Sequence, residues 1–203
     1  MTADGNDTGA APDHYSDLDA VLETAWALLE AGVADRAAAA HTPVLASVDA
    51  GGAPQARTVV LRGCDRAARQ LRIHTDRRSD KVDDLRANPN AVLHVYAPSE
   101  KIQLRLHADA SLHTDDRVAV RAWEATRWFS RICYQVTKAP GARLDDPGDV
   151  AFDADATNEG AEHFMVVRLQ VTTLEWLYLD RRGHRRARFS WSGEGWSGEW
   201  LVP

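Results

Sequence analysis

Two periods of hydrophobic residues occur along the chain, and they predict different elements. Helical spacing predicts an amphipathic helix that Ser16 caps and Gly32 ends, with an apolar stripe of Leu18, Val21, Leu22, Ala25, Leu28 and Leu29. Alternation of apolar and polar positions predicts strands over 42–49, 55–63, 69–76, 91–97, 101–113 and 163–180. HRRARFSW and GEWLVP predict two short strands that close the chain.

Polar turns and two further helices connect these runs. AGGAP joins the first two strands and Pro98 lies between the fourth and fifth, so both pairs are predicted hairpins. SDKVDDLRANP predicts a helix that ends at Asn88-Pro89, and 115–135 predicts a longer helix. Few helices separate successive strands, which disfavours a doubly wound parallel sheet. The pattern favours a mainly β fold, a closed antiparallel barrel with flanking helices.

Composition indicates one domain with two irregular segments. Residues 1–14 are small, polar and acidic, which predicts a disordered arm. Residues 139–162 are rich in Pro, Gly and Asp and have little periodicity, which predicts a mobile loop. Residues 15–203 form the single predicted domain, in which 163–203 supplies the C-terminal strands.

Charge and cysteine content restrict the class of protein. The chain has 203 residues, 27% of them charged, and a net charge of -6, which argues against a nucleic-acid binder with a basic surface. Cys64 and Cys133 form no CxxC pair, so we expect a reducing compartment and free thiols. The sequence contains no apolar run of membrane-spanning length and no secretion signal, so a cytoplasmic protein without a membrane partner is expected.

The stretch HTDRRSDK (74–81) joins a predicted strand to a predicted helix and combines hydroxyls with cations. Thr75, Ser79 and Lys81 are suited to a phosphate cradle, since a helix N-terminus adds free N–H donors and partial positive charge. The alternative is that Ser79 only caps the helix and Lys81 is solvated. GxGxxG and GxxxxGK[ST] do not occur, so the two common phosphate-binding glycine loops are not available.

Other cations recur in patterns that allow either an anion site or a solvated surface. Arg57 and Arg62 are five residues apart and point to opposite faces of an ideal strand, so one anion would not meet both. Trp123, Arg127 and Arg131 would form one stripe of a continuous helix. His184, Arg186 and Arg188 alternate onto one face, which is unfavourable unless an anion or water meets them.

Gln103, within IQLRL, either faces solvent or hydrogen-bonds a heteroaromatic edge. Histidines show no metal-ligand spacing, and we predict no metal site and no obligatory catalytic acid or base.

Several stretches, in this order, resemble one known family. RTVVLR (57–62), HTDRRSDK (74–81), Asn88-Pro89, IQLR (102–105) and the closing ARFSW…WLVP are similar to the pyridoxamine 5'-phosphate oxidase family of FMN-binding split barrels. The resemblance covers roughly residues 42–135 and 163–203. It implies a six-stranded antiparallel split β-barrel, a homodimer with FMN at the subunit interface, and flavin-dependent oxidoreductase activity.

The resemblance also implies roles for individual residues. Arg57 and Lys81 resemble FMN phosphate ligands, and the backbone of Thr58, Val59, Val60 and Leu61 resembles the strand that lines the flavin ring. Residues at the remaining implied cofactor positions are Arg62, His74, Thr75, Ser79, Gln103 and Arg188. A tryptophan that flanks the flavin aligns near residues 176–178.

Departures from the family fall largely on the substrate side. The positions of the substrate-phosphate ligands carry Arg62, Trp123, Arg127 and Arg131, and the C-terminal substrate motif carries Arg186 in place of a histidine. An aspartate, Asp80, occupies a position where the family usually has an arginine that helps to hold the phosphate. We therefore expect Asp80 to point away from the phosphate, with Arg77, Arg78 or an arginine of a partner subunit replacing the lost charge. A small anionic substrate is expected. The alternatives are a true pyridoxamine/pyridoxine 5'-phosphate oxidase, a non-catalytic flavin-binding protein, or a relative that binds deazaflavin or haem.

Overall fold

The computed structural model describes residues 12–150 and 159–203. Residues 1–11 of the predicted arm and 151–158 of the predicted loop lie outside the described residues. Asp13–Ser16 forms a 3₁₀ helix that buries Tyr15, so the arm prediction is wrong for residues 13 and 14. The rest of 139–162 consists of turns and the short 3₁₀ helices Pro147–Asp149 and Ala161–His163, and its mobility stays a prediction.

Nine strands and four α-helices make up the described residues. The helices are α1 (Leu18–Ala34), α2 (Asp80–Ala87), α3 (Arg117–Ala125) and α4 (Trp128–Arg131), and two further 3₁₀ helices are Ala39–His41 and Ile132–Tyr134. The strands are β1 (Val44–Val48), β2 (Pro54–Thr58), β3 (Leu61–Asp65), β4 (Gln70–Asp76), β5 (Asn90–Ala97), β6 (Ile102–His113), β7 (Phe164–Tyr178), β8 (Arg185–Trp191) and β9 (Trp196–Leu201).

All strand pairs in this sheet are antiparallel, which confirms the mainly β, antiparallel prediction. The pairing order is β2-β1-β5-β6-β7-β4-β3, and the β8–β9 hairpin joins through β7. The first and last strands of this order, β2 and β3, are separated in sequence only by Val59 and Val60. The described strands number nine and not six, because the run 55–63 is broken into β2 and β3 and because β8 and β9 form an added hairpin.

Strand alternation decides which side chains reach the core. In β4, Leu71, Ile73 and Thr75 are buried on one face, whereas Arg72 and His74 lie on the other face. In β6, Ile102, Leu104 and Leu106 are buried, and Gln103 lies on the opposite face. Residues one position apart on these strands therefore serve different sides of the sheet.

α1 covers the core with Val21, Ala25, Trp26 and Leu29, each at most 1% exposed. Its predicted bounds are corrected at both ends. Asp17 caps the helix, accepting from the Ala20 N–H at 2.8 Å, and the helix continues past Gly32. A Cβ at Gly32 would lie 2.5 Å from the Ala40 carbonyl carbon, so this glycine allows close packing and does not end the helix.

The predicted helix over 115–135 is broken after α3. Thr126 and Arg127 adopt extended backbone angles before α4 begins. The Arg131 guanidinium donates to the carbonyl oxygens of Trp123, Glu124 and Thr126 at 2.8–3.0 Å, so it holds the carbonyl end of α3. Within the described ranges, no helix combines the length and apolar composition that a bilayer crossing requires.

Candidate functional site

The turn between β4 and α2 gathers three of the residues predicted to cradle a phosphate. The Lys81 ammonium donates to Thr75 Oγ1 at 3.1 Å and to Ser79 Oγ at 3.0 Å, and the two hydroxyl oxygens are 3.2 Å apart. Ser79 occupies the N-cap position of α2 but does not cap it, because its hydroxyl donates to the Asp76 carbonyl at 2.7 Å. The alternative of a capping serine and a solvated lysine is therefore wrong.

Arg57 brings a second cation to this turn from β2. Its guanidinium donates to Ser47 Oγ at 2.6 Å and to Asp84 Oδ2 at 3.2 Å, and the Ser47 hydroxyl donates to the same carboxylate at 2.8 Å. Ser47 and Asp84 are buried, at 3% and 6% exposure. Neither was predicted, because their role depends on a contact between β1 and α2 that no local pattern reveals.

We call Arg57, Thr75, Ser79 and Lys81 the phosphate cluster. Burial, and then the charge of Arg57, lowers the pKa of Lys81, although Asp76, Asp80 and Asp84 oppose the shift. The two cations of the cluster, Arg57 and Lys81, thus repel each other, and only Arg57 pairs directly with the carboxylate of Asp84. An ammonium has three N–H groups, and two of those of Lys81 are directed to hydroxyls. This donor set fits a dianionic phosphate, which would relieve the repulsion between the two cations.

The arginines that follow Asp76 do not join the phosphate cluster. Arg78 pairs with Asp76 at 2.7 Å and donates to the carbonyls of Val136 and Thr137, while Arg77 pairs with Asp115 at 3.3 Å. The expectation that Arg77 or Arg78 replaces the charge missing at Asp80 is therefore wrong, and replacement by an arginine of a partner subunit stays a prediction. Asp80 is exposed, and its Oδ2 lies 3.7 Å from where a Cβ of Gly141 would be.

The other face of β3 and β4 borders a cavity of about 410 Å³ that we call the basic cavity. Its polar lining includes Arg36, Arg62, Arg72, Arg127, His41 and His74. His74 packs edge-on against Phe164 with ring centroids 4.8 Å apart. Burial, with the charges of Arg72 and Arg62, lowers the pKa of His74 to about 3, so its imidazole is neutral near pH 7. His74 therefore does not accompany Thr75 in the phosphate cluster.

The predicted substrate residues are only partly brought together. Arg62 and Arg127 line the basic cavity, as the opposite orientation of Arg57 and Arg62 predicted. Trp123 packs against Tyr134 and Phe164, and Arg131 lies over its ring at 4.9 Å. Because Thr126 and Arg127 interrupt the helix and Arg131 donates back to the carbonyls of Trp123, Glu124 and Thr126, the predicted stripe of Trp123, Arg127 and Arg131 does not form.

Arg186 and Arg188 lie on the outer face of β8, where both pair with the carboxylate of Glu175. Its carboxylate, 6% exposed, accepts from Arg186 at 2.7 Å, from Arg188 at 3.1 Å and from Arg105 at 2.6 Å. Burial favours a raised pKa for Glu175, but the bonds from Arg186 and Arg188 and the charge of Arg105 lower it overall. His184 is exposed outside β8 and accepts from the Asp180 N–H, so it does not join this row.

Sequence reasoning missed Glu175, although a signal was available. It lies between the buried Leu174 and Trp176 on a long strand, so alternation places it on the outer face. Gln103 shares that outer face and lies opposite Tyr96 and Leu177 in the sheet. Trp176 and Tyr178 are buried in the core, so neither ring is on the face that carries Gln103.

The segment predicted to line a flavin ring is irregular. Thr58 ends β2 and Leu61 begins β3, so Val59 and Val60 belong to neither strand. The Val59 N–H donates to the Pro43 carbonyl at 2.9 Å. A break between strands leaves backbone groups outside the regular ladder, which suits a backbone that contacts a ligand.

Comparisons with known proteins show similarity over much of the chain. Residues 23–114 match the family model described as pyridoxamine 5'-phosphate oxidase, FMN-binding domain. A pyridoxine/pyridoxamine 5'-phosphate oxidase 2 of Arabidopsis thaliana is 26% identical over 172 residues, covering 78% of this chain and 85% of the relative. A pyridoxine/pyridoxamine 5'-phosphate oxidase of Anaeromyxobacter dehalogenans (strain 2CP-C) is 35% identical over 98 residues, covering 45% and 48%.

Two solved structures share the fold over most of their length. A pyridoxamine 5'-phosphate oxidase-related, FMN-binding protein of Nostoc punctiforme PCC 73102 has a TM-score of 0.73 and 25% identity, covering 89% of this chain and 96% of its own. PhzG of Burkholderia lata 383, solved with tetrahydrophenazine-1-carboxylic acid, has a TM-score of 0.72 and 20% identity, covering 96% and 98%. The matched range 23–114 contains the whole phosphate cluster. Over this range the chain is similar to the FMN-binding domain of pyridoxamine 5'-phosphate oxidases, and the relative and the solved structure that match most of the chain carry related names.

Proposed function

We propose that this protein is an FMN-dependent oxidoreductase that acts on a small anionic substrate. The observation that carries the proposal is the arrangement around β4. Thr75 joins the phosphate cluster on one side of this strand, and the adjacent His74 lines the basic cavity on the other side. In this proposal the cofactor-phosphate site and a second anion site would lie on opposite sides of one strand.

The phosphate cluster would hold the FMN phosphate through Arg57 and Lys81, with Thr75 and Ser79 as hydroxyl partners. Asp84 fixes Arg57 in place and keeps the local charge from becoming excessive. Bound FMN would supply a two-electron acceptor. In this proposal the irregular backbone from Thr58 to Leu61 lines the flavin ring.

Arg62 and Arg127 would bind the anionic group of the substrate in the basic cavity. Guanidinium groups carry charge at every physiological pH and hold carboxylates or phosphates in fixed geometry. His74 is neutral near pH 7, so it offers a hydrogen bond without adding charge. Arg186 already pairs with Glu175, so its assignment to substrate binding rests on the resemblance alone.

A homodimer is part of this proposal. Gln103 and Arg188 resemble cofactor ligands, yet they lie on the outer face of the sheet while Thr75 lies on the core face. A second copy that presents its outer face would supply both groups to one flavin. Tyr96, 48% exposed and opposite Gln103, gives that face apolar contact area. The free thiols of Cys64 and Cys133 support a reducing, cytoplasmic location.

Anaerobic reduction of the bound flavin tests the activity. The FMN-loaded protein would be mixed with candidate anionic reductants, and bleaching of the flavin absorbance would be followed. Pyridoxamine 5'-phosphate is the first candidate, because the curated relatives carry the name pyridoxine/pyridoxamine 5'-phosphate oxidase. Arg127→Gln should raise the KM of any active substrate and leave FMN content unchanged.

Two other outcomes decide between the alternatives. If the protein oxidises pyridoxamine 5'-phosphate and no other anion tested, it is a true pyridoxamine/pyridoxine 5'-phosphate oxidase. Retention of FMN with no bleaching by any anionic reductant would favour a non-catalytic flavin-binding protein and contradict the proposal. Light scattering with chromatography tests the dimer, and a monomer that holds FMN would rule out the shared site.

A further inference from the structure

We infer that the basic cavity binds a ligand with at least two separate anionic groups, such as a phosphate together with a carboxylate. This inference deepens the proposed function and rests on it for the statement that the ligand is the substrate. The cavity receives Arg36 from the segment after α1, Arg62 from β3, Arg72 from β4 and Arg127 from the α3–α4 junction. Three separate parts of the chain, one of them the β3–β4 hairpin, thus deliver four guanidinium groups to one space.

The number of positive charges in the basic cavity indicates a ligand with two anionic groups rather than one. No Asp or Glu is among the residues that line the cavity, and within the described parts of the chain none of its four arginines forms a salt bridge. One phosphate monoester carries about -1.5 to -2 charges at pH 7. Such a ligand would leave about two positive charges uncompensated, whereas a second carboxylate or phosphate would balance them.

Two buried polar atoms at the cavity wall agree with a ligand. Arg72 Nε and His74 Nε2 have no hydrogen-bond partner among the described residues, although both atoms are buried. Arg72 directs Nη2 to the Arg62 carbonyl at 2.9 Å, which orients the guanidinium. Burial, together with the charge of Arg168, lowers the pKa of Arg72, so an anion near its head group would be stabilising.

The size and apolar surface of the cavity fit a small organic dianion. A volume of about 410 Å³ lies within the range that small-molecule sites occupy. Val33, Ala34, Ala122 and Ala125 supply apolar lining. Arg36 and Arg127 both lie over the Phe129 ring, at 5.5 and 5.9 Å, so this ring helps to hold two of the four cations at the cavity edge.

Calorimetric titration of the FMN-loaded full chain tests the inference without turnover. The probes are 2-phosphoglycolate, which has a phosphate and a carboxylate, and glycerol 3-phosphate, which has a phosphate alone. At one fixed ionic strength, we expect 2-phosphoglycolate to bind about tenfold more tightly or better. Arg36→Gln and Arg72→Lys should reduce this preference. Arg121→Gln removes one exposed charge from α3 outside the cavity lining and is the matched control.

Each outcome decides the inference. Equal affinity for the two probes, no binding of either, or an unchanged preference in Arg36→Gln would overturn it. The flavin content of each sample is measured by absorbance, so failure of the proposed function is recognised separately. A chain that holds no FMN and still prefers 2-phosphoglycolate would contradict the proposed function and leave the two-anion site supported.

Discussion

Replacement of His74 should change how the stability of the protein depends on pH. In the folded protein, burial and the charges of Arg72 and Arg62 lower the pKa of His74 from 6.5 to about 3. Between these two pH values the unfolded chain binds a proton that the folded chain does not. Stability therefore rises with pH through this window and is lost as the pH falls below 6.5.

The size of the effect follows from the pKa difference. Acidification to about pH 4.5 crosses about two of the three and a half pH units, and each unit corresponds to about 1.4 kcal/mol. Because His74 borders a cavity and is only half-buried, we expect a contribution of about 2 kcal/mol. His74→Gln removes the titrating group. On acidification from pH 7 to 4.5, this variant should therefore lose about 2 kcal/mol less free energy of unfolding than the wild type.

Urea unfolding at the two pH values, with the same excess of FMN throughout, measures this difference. His107→Gln is the matched control, because His107 is exposed on β6 and keeps its contact with water on folding. Equal acid sensitivity in the wild type and in His74→Gln would refute the reasoning that His74 is held neutral by burial and by neighbouring arginines.

Two further predictions concern groups whose role is structural. Glu175→Gln leaves three arginines without their shared carboxylate, so the free energy of unfolding should fall by about 2–3 kcal/mol. Glu199→Gln is the control, because the exposed Glu199 only approaches Arg188 at 3.8 Å. Its free energy of unfolding should fall far less. Similar unfolding midpoints for the two variants in urea would contradict this role. Arg131→Gln should lower stability by about 1–2 kcal/mol through loss of donors to the α3 carbonyls, and leave FMN affinity unchanged. Unchanged stability together with weaker substrate binding would contradict this structural role and support Arg131 as a substrate-binding residue.

Local patterns were sufficient to predict most of the strands and the grouping of Thr75, Ser79 and Lys81. The alternation before Thr75, the hydroxyl and cation spacing of HTDRRSDK, and the odd offset between Arg57 and Arg62 are all properties of adjacent residues. They predicted that Thr75, Ser79 and Lys81 lie together and that Arg57 and Arg62 point to opposite faces. The structure brings the first three side chains into contact and places Arg62, but not Arg57, in the lining of the basic cavity.

Contacts between distant residues could not be predicted in this way. The break after α3 has no glycine or proline to mark it, and Arg131, eight residues after Trp123, supplies donors to the exposed carbonyls. The basic cavity needs Arg36 and Arg72, which are 36 positions apart and share no period. Local sequence alone also could not choose between Ser16 and Asp17 as the cap of α1.

The central claim is that Arg57 and Lys81 bind the phosphate of FMN, and a comparison of FMN with riboflavin tests it most directly. Apoprotein would be titrated with each flavin while flavin fluorescence is followed. Lys81→Met and Arg57→Gln should each weaken FMN binding by about 10- to 150-fold, equivalent to about 1.5–3 kcal/mol, and leave riboflavin binding unchanged. Arg77→Ala, in the same turn but paired with Asp115, should change neither affinity. Unaltered FMN affinity in Lys81→Met, or an equal loss for riboflavin, would contradict the claim.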